Sequence, residues 1–156
     1  EACFKGFQDA IKKYPEIEFG GKYADKANVL PSAHITADLL TAHPDLAGIA
    51  GFDSNSGPGM ALSVKESGKA GKIKLTAVDA EPENLKLVKE GVIDYLVGQK
   101  RELFTWLGAQ LLFDMRHKTV PLSGNDARAG VIPIPTTIIT GTIEVDKQNV
   151  DQFLQN

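Results

Sequence analysis

Short apolar runs recur along this chain, and the stretches between them carry the punctuation of helices. The runs fall at Ile17 to Tyr23, Leu46 to Phe52, Ile73 to Val78 and Ile93 to Gly98, close to the roughly thirty-residue repeat of a strand–helix–strand unit. Pro31, Pro58 and Pro82 stand where first helical turns begin, because a proline there forfeits no helical hydrogen bond; Gly68 and Gly91 stand where helices stop. Each helix leads within a few residues to the next run, as Lys69 to Lys72 leads to Ile73. Regular alternation of this kind predicts a parallel sheet, since parallel strands need a crossover and a helix supplies it. The expected fold class is therefore α/β, a parallel sheet with helices on both faces. Gly48-Ile49-Ala50-Gly51-Phe52 does not alternate polar with apolar, the pattern of a strand covered on both sides.

The ends of the chain depart from this rhythm. Phe4, Phe7, Ile11 and Tyr14 follow helical spacing from the first residues without a visible cap, so the chain is expected to start inside or at the edge of a helix, with something missing upstream. The helical stretch Arg101 to Lys118 carries Leu103, Phe104, Trp106, Leu107, Leu111, Leu112, Phe113 and Met115 around much of its circumference, more than one stripe against one sheet requires. Beyond it, Val131 to Pro135 and Thr136 to Thr142 read as extended chain, with Pro133 and Pro135 confining the first part to an edge or to irregular structure. A short helix is expected from Lys147 to Leu154.

Composition removes several functions. With 156 residues, 42% hydrophobic and 24% charged, the chain has the make-up of one globular domain. Its net charge of −3, with both signs interspersed, offers no basic stripe for phosphates, so nucleic acid is not an expected partner. A single cysteine, Cys3, rules out an internal disulfide framework. His34, His43 and His117 are isolated and without a ligand motif, so no metal and no cofactor are expected. Gly57-Pro58-Gly59 lacks the remaining residues of a phosphate loop, and a calcium loop begun at Asp53 would meet Val64 where its bidentate glutamate belongs. No nucleophile elbow surrounds any serine, and no catalytic role is expected.

Three polar residues share one structural position: Asp53 follows Ile49 to Phe52, Asp79 follows Leu75 to Val78, and Gln99 follows Tyr95 to Gly98. In a parallel sheet these are all carboxyl ends, the edge outside which open α/β sheets bind their ligands. The helix starts that follow add backbone donors to the same crevice. Two carboxylates and an amide suit a ligand rich in hydroxyls, because carboxylates accept from hydroxyl pairs while glutamine both donates and accepts. Strand-end Asp and Gln also cap turns and helix starts, the plainer role for any one of them. Asp53 and Asp79 as acid and base of a glycosidase-like reaction is a further alternative, which needs one carboxyl raised by burial.

Five segments in order, Lys5-Gly6-Phe7-Gln8-Asp9-Ala10-Ile11, Ala42 to Ile49, Lys65 to Ile73, Val78 to Glu83 and Gly91 to Asp94, resemble the ribose-binding family of periplasmic sugar-binding proteins. The ending through Thr136 to Phe153 resembles rhamnose- and autoinducer-type relatives. The resemblance implies a two-lobed receptor of which residues 1–156 are the carboxy-terminal lobe. It implies Asp53, Asp79 and Gln99 as ligand contacts, Gln99 and Lys100 at a hinge crossing, and the Arg101 to Lys118 helix packed on the absent amino-terminal lobe. Cys3 stands where relatives place an arginine contact, and Ala27 or Asn28 where they place an aromatic one, so ribose-like specificity is not expected. Asn28 then serves either as a ligand contact or as the cap of the helix containing Pro31.

The function so implied is the non-catalytic substrate-binding component of an ABC-type importer. Its expected partners are a small polar solute, in the first place a sugar, and a membrane permease; its parent is expected to be extracytoplasmic, either secreted or lipid-anchored. The alternative is the effector lobe of a sugar-responsive transcription regulator, which shares the fold. With its partner lobe absent, the apolar helix predicts self-association of this chain, which light scattering reads directly.

Overall fold

The computed structural model describes residues 2–117 and 120–154. The elements run α1 (Ala2–Ile11), α2 (Val29–Ala42), β1 (Gly48–Ala50), α3 (Ser56–Glu66), β2 (Lys74–Val78), α4 (Pro82–Lys89), β3 (Tyr95–Gln99), α5 (Arg101–His117), α6 (Asp126–Ala129), β4 (Thr142–Val145) and α7 (Val150–Phe153). The sheet order is β1-β2-β3-β4. β1 pairs parallel with β2, Ile49 opposite Leu75, and β2 pairs parallel with β3, Ala77 opposite Leu96. The fold class is α/β, as the alternation of runs and helices implies.

The punctuation residues do what their chemistry predicts. Pro82 opens α4, and Pro31 and Pro58 lie in the first turns of α2 and α3. Gly68 and Gly91 follow their helices with φ of +65° and +75°, a conformation that costs glycine nothing. Asp94 fixes the entry to β3, its carboxylate accepting from the Leu75 amide at 2.9 Å and pairing with the Lys74 ammonium at 2.6 Å.

Two expectations need correction. Ile17 to Tyr23 forms no strand: residues 17–23 are exposed, and Gly21 sits at φ +140°, outside the extended region a ladder needs. The apolar content of that run goes instead to an aromatic cluster, in which Phe19 lies 5.8 Å from Phe4 and 6.4 Å from Phe7, and Phe52 lies 5.6 Å from Phe7. Cover over the sheet is also unequal. Leu75, Ala77 and Leu96 are buried, whereas Thr76, Val78 and Val97 are only half-buried, and β1, hydrogen-bonded in the sheet on one side alone, is half-exposed.

The chain divides into two compact units, Glu1–Gly98 with Glu144–Asn156, and Gln99–Ile143. The first holds the core, a cluster that includes Met60, Val64, Leu75, Leu85, Val88, Ile93, Leu96, Val145 and Val150. α2 and α3 cross closely within it. The Ser63 hydroxyl donates to the Ala33 carbonyl at 2.6 Å and the Ser32 hydroxyl to the Ser56 carbonyl at 3.1 Å. Any Cβ on Gly59 would stand 2.5 Å from the Ser32 Cβ and 2.6 Å from the Val29 carbonyl oxygen, so only glycine permits this approach.

The second unit is built around α5, which buries no residue; Trp106 is 63% exposed and Leu112 69%. Lys118, assigned to this helix from the sequence, lies outside the described residues. The expected extended stretch from Val131 to Gly141 forms no strand, and the ladder begins only at Thr142. In the first unit, α7 starts at Val150, three residues later than expected, because the preceding residues form a turn. There the Asn149 side-chain oxygen accepts from the Asp146 amide at 3.0 Å and Asp146 accepts from the Gln148 amide at 2.7 Å.

Candidate functional site

The parallel registers carry Asp53 and Asp79 to the same edge. Ala50 lies opposite Thr76, and each acid stands three residues further along its strand direction. Hydrogen bonds continue the pairing past β1: the Gly51 amide donates to the Thr76 carbonyl and the Asp79 amide to the Val97 carbonyl, both at 2.9 Å. Both acids are half-buried. Gln99 is the last residue of β3, itself parallel to β2, and is exposed.

Asp53 has a local duty as well. Its Oδ1 accepts from the Asn55 and Ser56 amides at 2.9 and 3.0 Å, and its Oδ2 accepts from the Ser56 hydroxyl at 2.6 Å. These bonds satisfy the donors at the start of α3, the plainer role open to a strand-end aspartate. A carboxylate offers about four lone-pair sites, so this use leaves acceptor capacity beyond the three bonds. Asn28 has the capping role: it is the N-cap of α2, its Oδ1 accepting from the Leu30 amide at 3.1 Å.

The backbone around the rim is unusual. Asp79 has φ +71°, and Lys26 and Ala27 have φ +56° and +52°. Such left-handed geometry is uncommon outside glycine, and most tolerable for Asp and Asn. At Lys26 and Ala27 the bend is held from outside, the Asn55 side chain donating to the Ala27 carbonyl at 2.9 Å.

Three participants were not singled out in the sequence. The Asp25 Oδ2 lies 2.7 Å from the Ser56 hydroxyl, whose single proton the Asp25 and Asp53 carboxylates therefore share. Ser56 itself is buried at the head of α3. The third is Asn84, fully buried in α4, whose Nδ2 reaches the carbonyls of Ser54, Val78 and Asp79 at 3.2, 3.3 and 3.1 Å. A signal for it was present: Asn84 shares a helix face with Leu87 and Val88, at i+3 and i+4, where an apolar residue is the default.

At the far end of β3, the Tyr95 hydroxyl is hydrogen-bonded to the Glu144 carboxylate. That bond, with burial and the nearby negative charges of Glu144 and Asp146, pushes its pKa from 10.0 up to about 12. Because the folded value is raised, the stabilisation is fully present below pH 10 and is lost as pH climbs through about 12. Subtracting the ultraviolet phenolate titration of Tyr95→Phe from that of the unaltered protein is expected to leave one transition near 12. A difference transition near 10 is the contrary result.

Two surface hollows contain neither acid; one is lined by Ile11, Tyr14, Ile17 and Phe19, another by Ala37, Thr41, Ser63 and Lys69. Among the described residues, no group of three or more His, Cys, Asp or Glu side chains is placed to hold a metal ion, and no helix is long and apolar enough to cross a membrane.

A parallel sheet whose carboxyl edge carries acidic side chains beside helix starts is the architecture of an open α/β ligand-binding lobe. The chain belongs to the periplasmic binding protein domain family, whose model matches residues 1–119. It is similar to an arabinose-binding protein from Geobacillus stearothermophilus, with 32% identity and a TM-score of 0.84 over 96% of this chain and 50% of that one. A sugar-binding protein of a sugar ABC transporter from Bacillus halodurans matches at 28% identity and a TM-score of 0.86, covering 95% and 50% of the two chains. The D-allose-binding periplasmic protein of Escherichia coli is 25% identical over 124 residues, 78% of this chain and 40% of that protein. The chain thus spans half or less of the length of these relatives.

Proposed function

We propose that residues 1–156 are the carboxy-terminal lobe of an extracytoplasmic solute receptor that delivers a sugar to an ABC-type permease, without catalysis. The observation that carries this reading is the arrival of Asp53 and Asp79 at the same edge of adjacent parallel strands. Their acceptors suit the paired hydroxyls of a pyranose or furanose ring. Gln99, the last residue of β3, is proposed as a contact in its own right. The names of the relatives support the ligand class: an arabinose-binding protein and a D-allose-binding protein stand among them.

A second lobe, closing over the rim, completes the site in this reading. One observation favours it: α5 exposes Phe104, Trp106, Leu112 and Phe113. Ligand then acts by favouring the closed state that the permease recognises.

The test is calorimetry of arabinose and D-allose, within a wider panel of pentoses and hexoses, against the intact parent protein. Saturable binding of at least one sugar, with no change to the sugar on recovery, is the expected result. Turnover of a glycoside, or silence across the panel, overturns the proposal.

A further inference from the structure

Asn84 lies in α4, yet its side-chain amide reaches out of the helix to the segments that precede α3 and α4. Its side chain is completely buried, and its Nδ2 sits within hydrogen-bond distance of three main-chain carbonyls: Ser54 in the β1–α3 loop, Val78 at the end of β2, and Asp79 in the β2–α4 loop. An amide nitrogen has two hydrogens, so three acceptors share them. Its orientation is settled by those acceptors, because turning the amide over would set Oδ1 against three carbonyl oxygens. Among the described residues Oδ1 has no hydrogen-bond partner, and it faces Gly57, where a Cβ would come within 2.3 Å of it. Gly57 leaves room for that oxygen, and the polar contacts of the side chain are those its Nδ2 makes.

What it holds are the two segments that present the acids. Ser54 adjoins Asp53, and Asp79 is itself one of the bonded residues. At Asp79 the left-handed backbone is gripped from two directions, its amide donating to the Val97 carbonyl and its own carbonyl accepting from Asn84. We infer that Asn84 is a positioning residue whose buried amide clamps the β1–α3 and β2–α4 loops to one another, so that Asp53 and Asp79 are offered to solute from a single fixed frame. The inference rests on the solute-receptor reading for its purpose, although the clamp is testable without any ligand.

Amide hydrogen exchange on this chain reads the clamp, using the Asp79 amide for one loop and the Asn55 and Ser56 amides, bonded to Asp53, for the other. Asn84→Ala is expected to cut protection at all three by tenfold or more while sparing the Lys74 and Val92 amides. Val88→Ala, a cavity in the same helix, is expected to weaken protection without singling out the loops. Asn84→Asp supplies a second variant with a pH signature. Facing three carbonyls, its carboxylate loses the clamp, and protonation restores one donor, so protection factors at the loops rise as pH falls. Loss confined to the Asp79 loop, an even loss matching Val88→Ala, or no recovery of Asn84→Asp in acid overturns the clamp. In the intact parent, the affinity for arabinose or D-allose is expected to fall tenfold more in Asn84→Ala than in Val88→Ala. Should the unaltered parent bind no sugar, the receptor reading falls and the exchange data still decide the clamp.

Discussion

Leu96→Ala is expected to lower the unfolding free energy by about 2–5 kcal/mol, the range for deleting a fully buried leucine side chain. Urea titration of the two proteins, comparing midpoints at equal slope, measures it. Leu96 has 0% exposure and lies in β3, central between β2 and β4 in the sheet. Its register partner on β2 is Ala77, already the smallest side chain that can face the core, so nothing on that side can expand into the space. The cavity therefore persists and the upper part of the range applies. Ile139→Ala is the contrast: at 90% exposure it should shift stability by no more than about 0.5 kcal/mol. Equal losses in the two variants would mean that the core is not where the sheet places it.

The largest effect on binding is expected at Asp79. Hydrogen bonds to a charged group contribute about 1.5–3 kcal/mol, so Asp79→Asn should weaken binding of whichever sugar the intact parent holds by roughly 10- to 150-fold. Asparagine is the informative replacement, because it tolerates the φ of +71° that Asp79 adopts and leaves the backbone of the β2–α4 loop undisturbed. Asp79→Ala removes both acceptor oxygens, where asparagine keeps one, and adds strain at a left-handed position, so it should lower both affinity and melting temperature. If Asp79→Asn binds sugar as tightly as the unaltered protein, the carboxylate is not a contact and the receptor site lies elsewhere.

Much of this arrangement was legible in the residues. Proline at first turns and glycine at stops located α2, α3 and α4, and the apolar runs between them became β1, β2 and β3. Asp53, Asp79 and Gln99 could be assigned to strand ends before any pairing was known, because a parallel sheet leaves them no other place. Ile17 to Tyr23 misled for a local reason: it has a strand's composition, but Gly21 takes a positive φ and Phe19 finds its partners in α1. The capping duty of Asp53 was visible only as a general tendency of strand-end aspartates, since which amides it reaches depends on the turn through Ser54 and Asn55. Asn84 was hidden more deeply. Its place on the face of Leu87 and Val88 marked it as buried, but only the approach of chain from outside the helix gives its amide three carbonyls.

The first unit takes its last pieces from beyond the excursion at Gln99–Ile143. Val145 and Val150 join the same cluster as Leu96, and α7 packs on α4. On the ribosome, then, a nascent chain that has emerged through Gln99 owns all three parallel strands but still lacks the two valines that complete the core cluster. Completion waits for another fifty or so codons, an interval of about a few seconds at ordinary elongation rates.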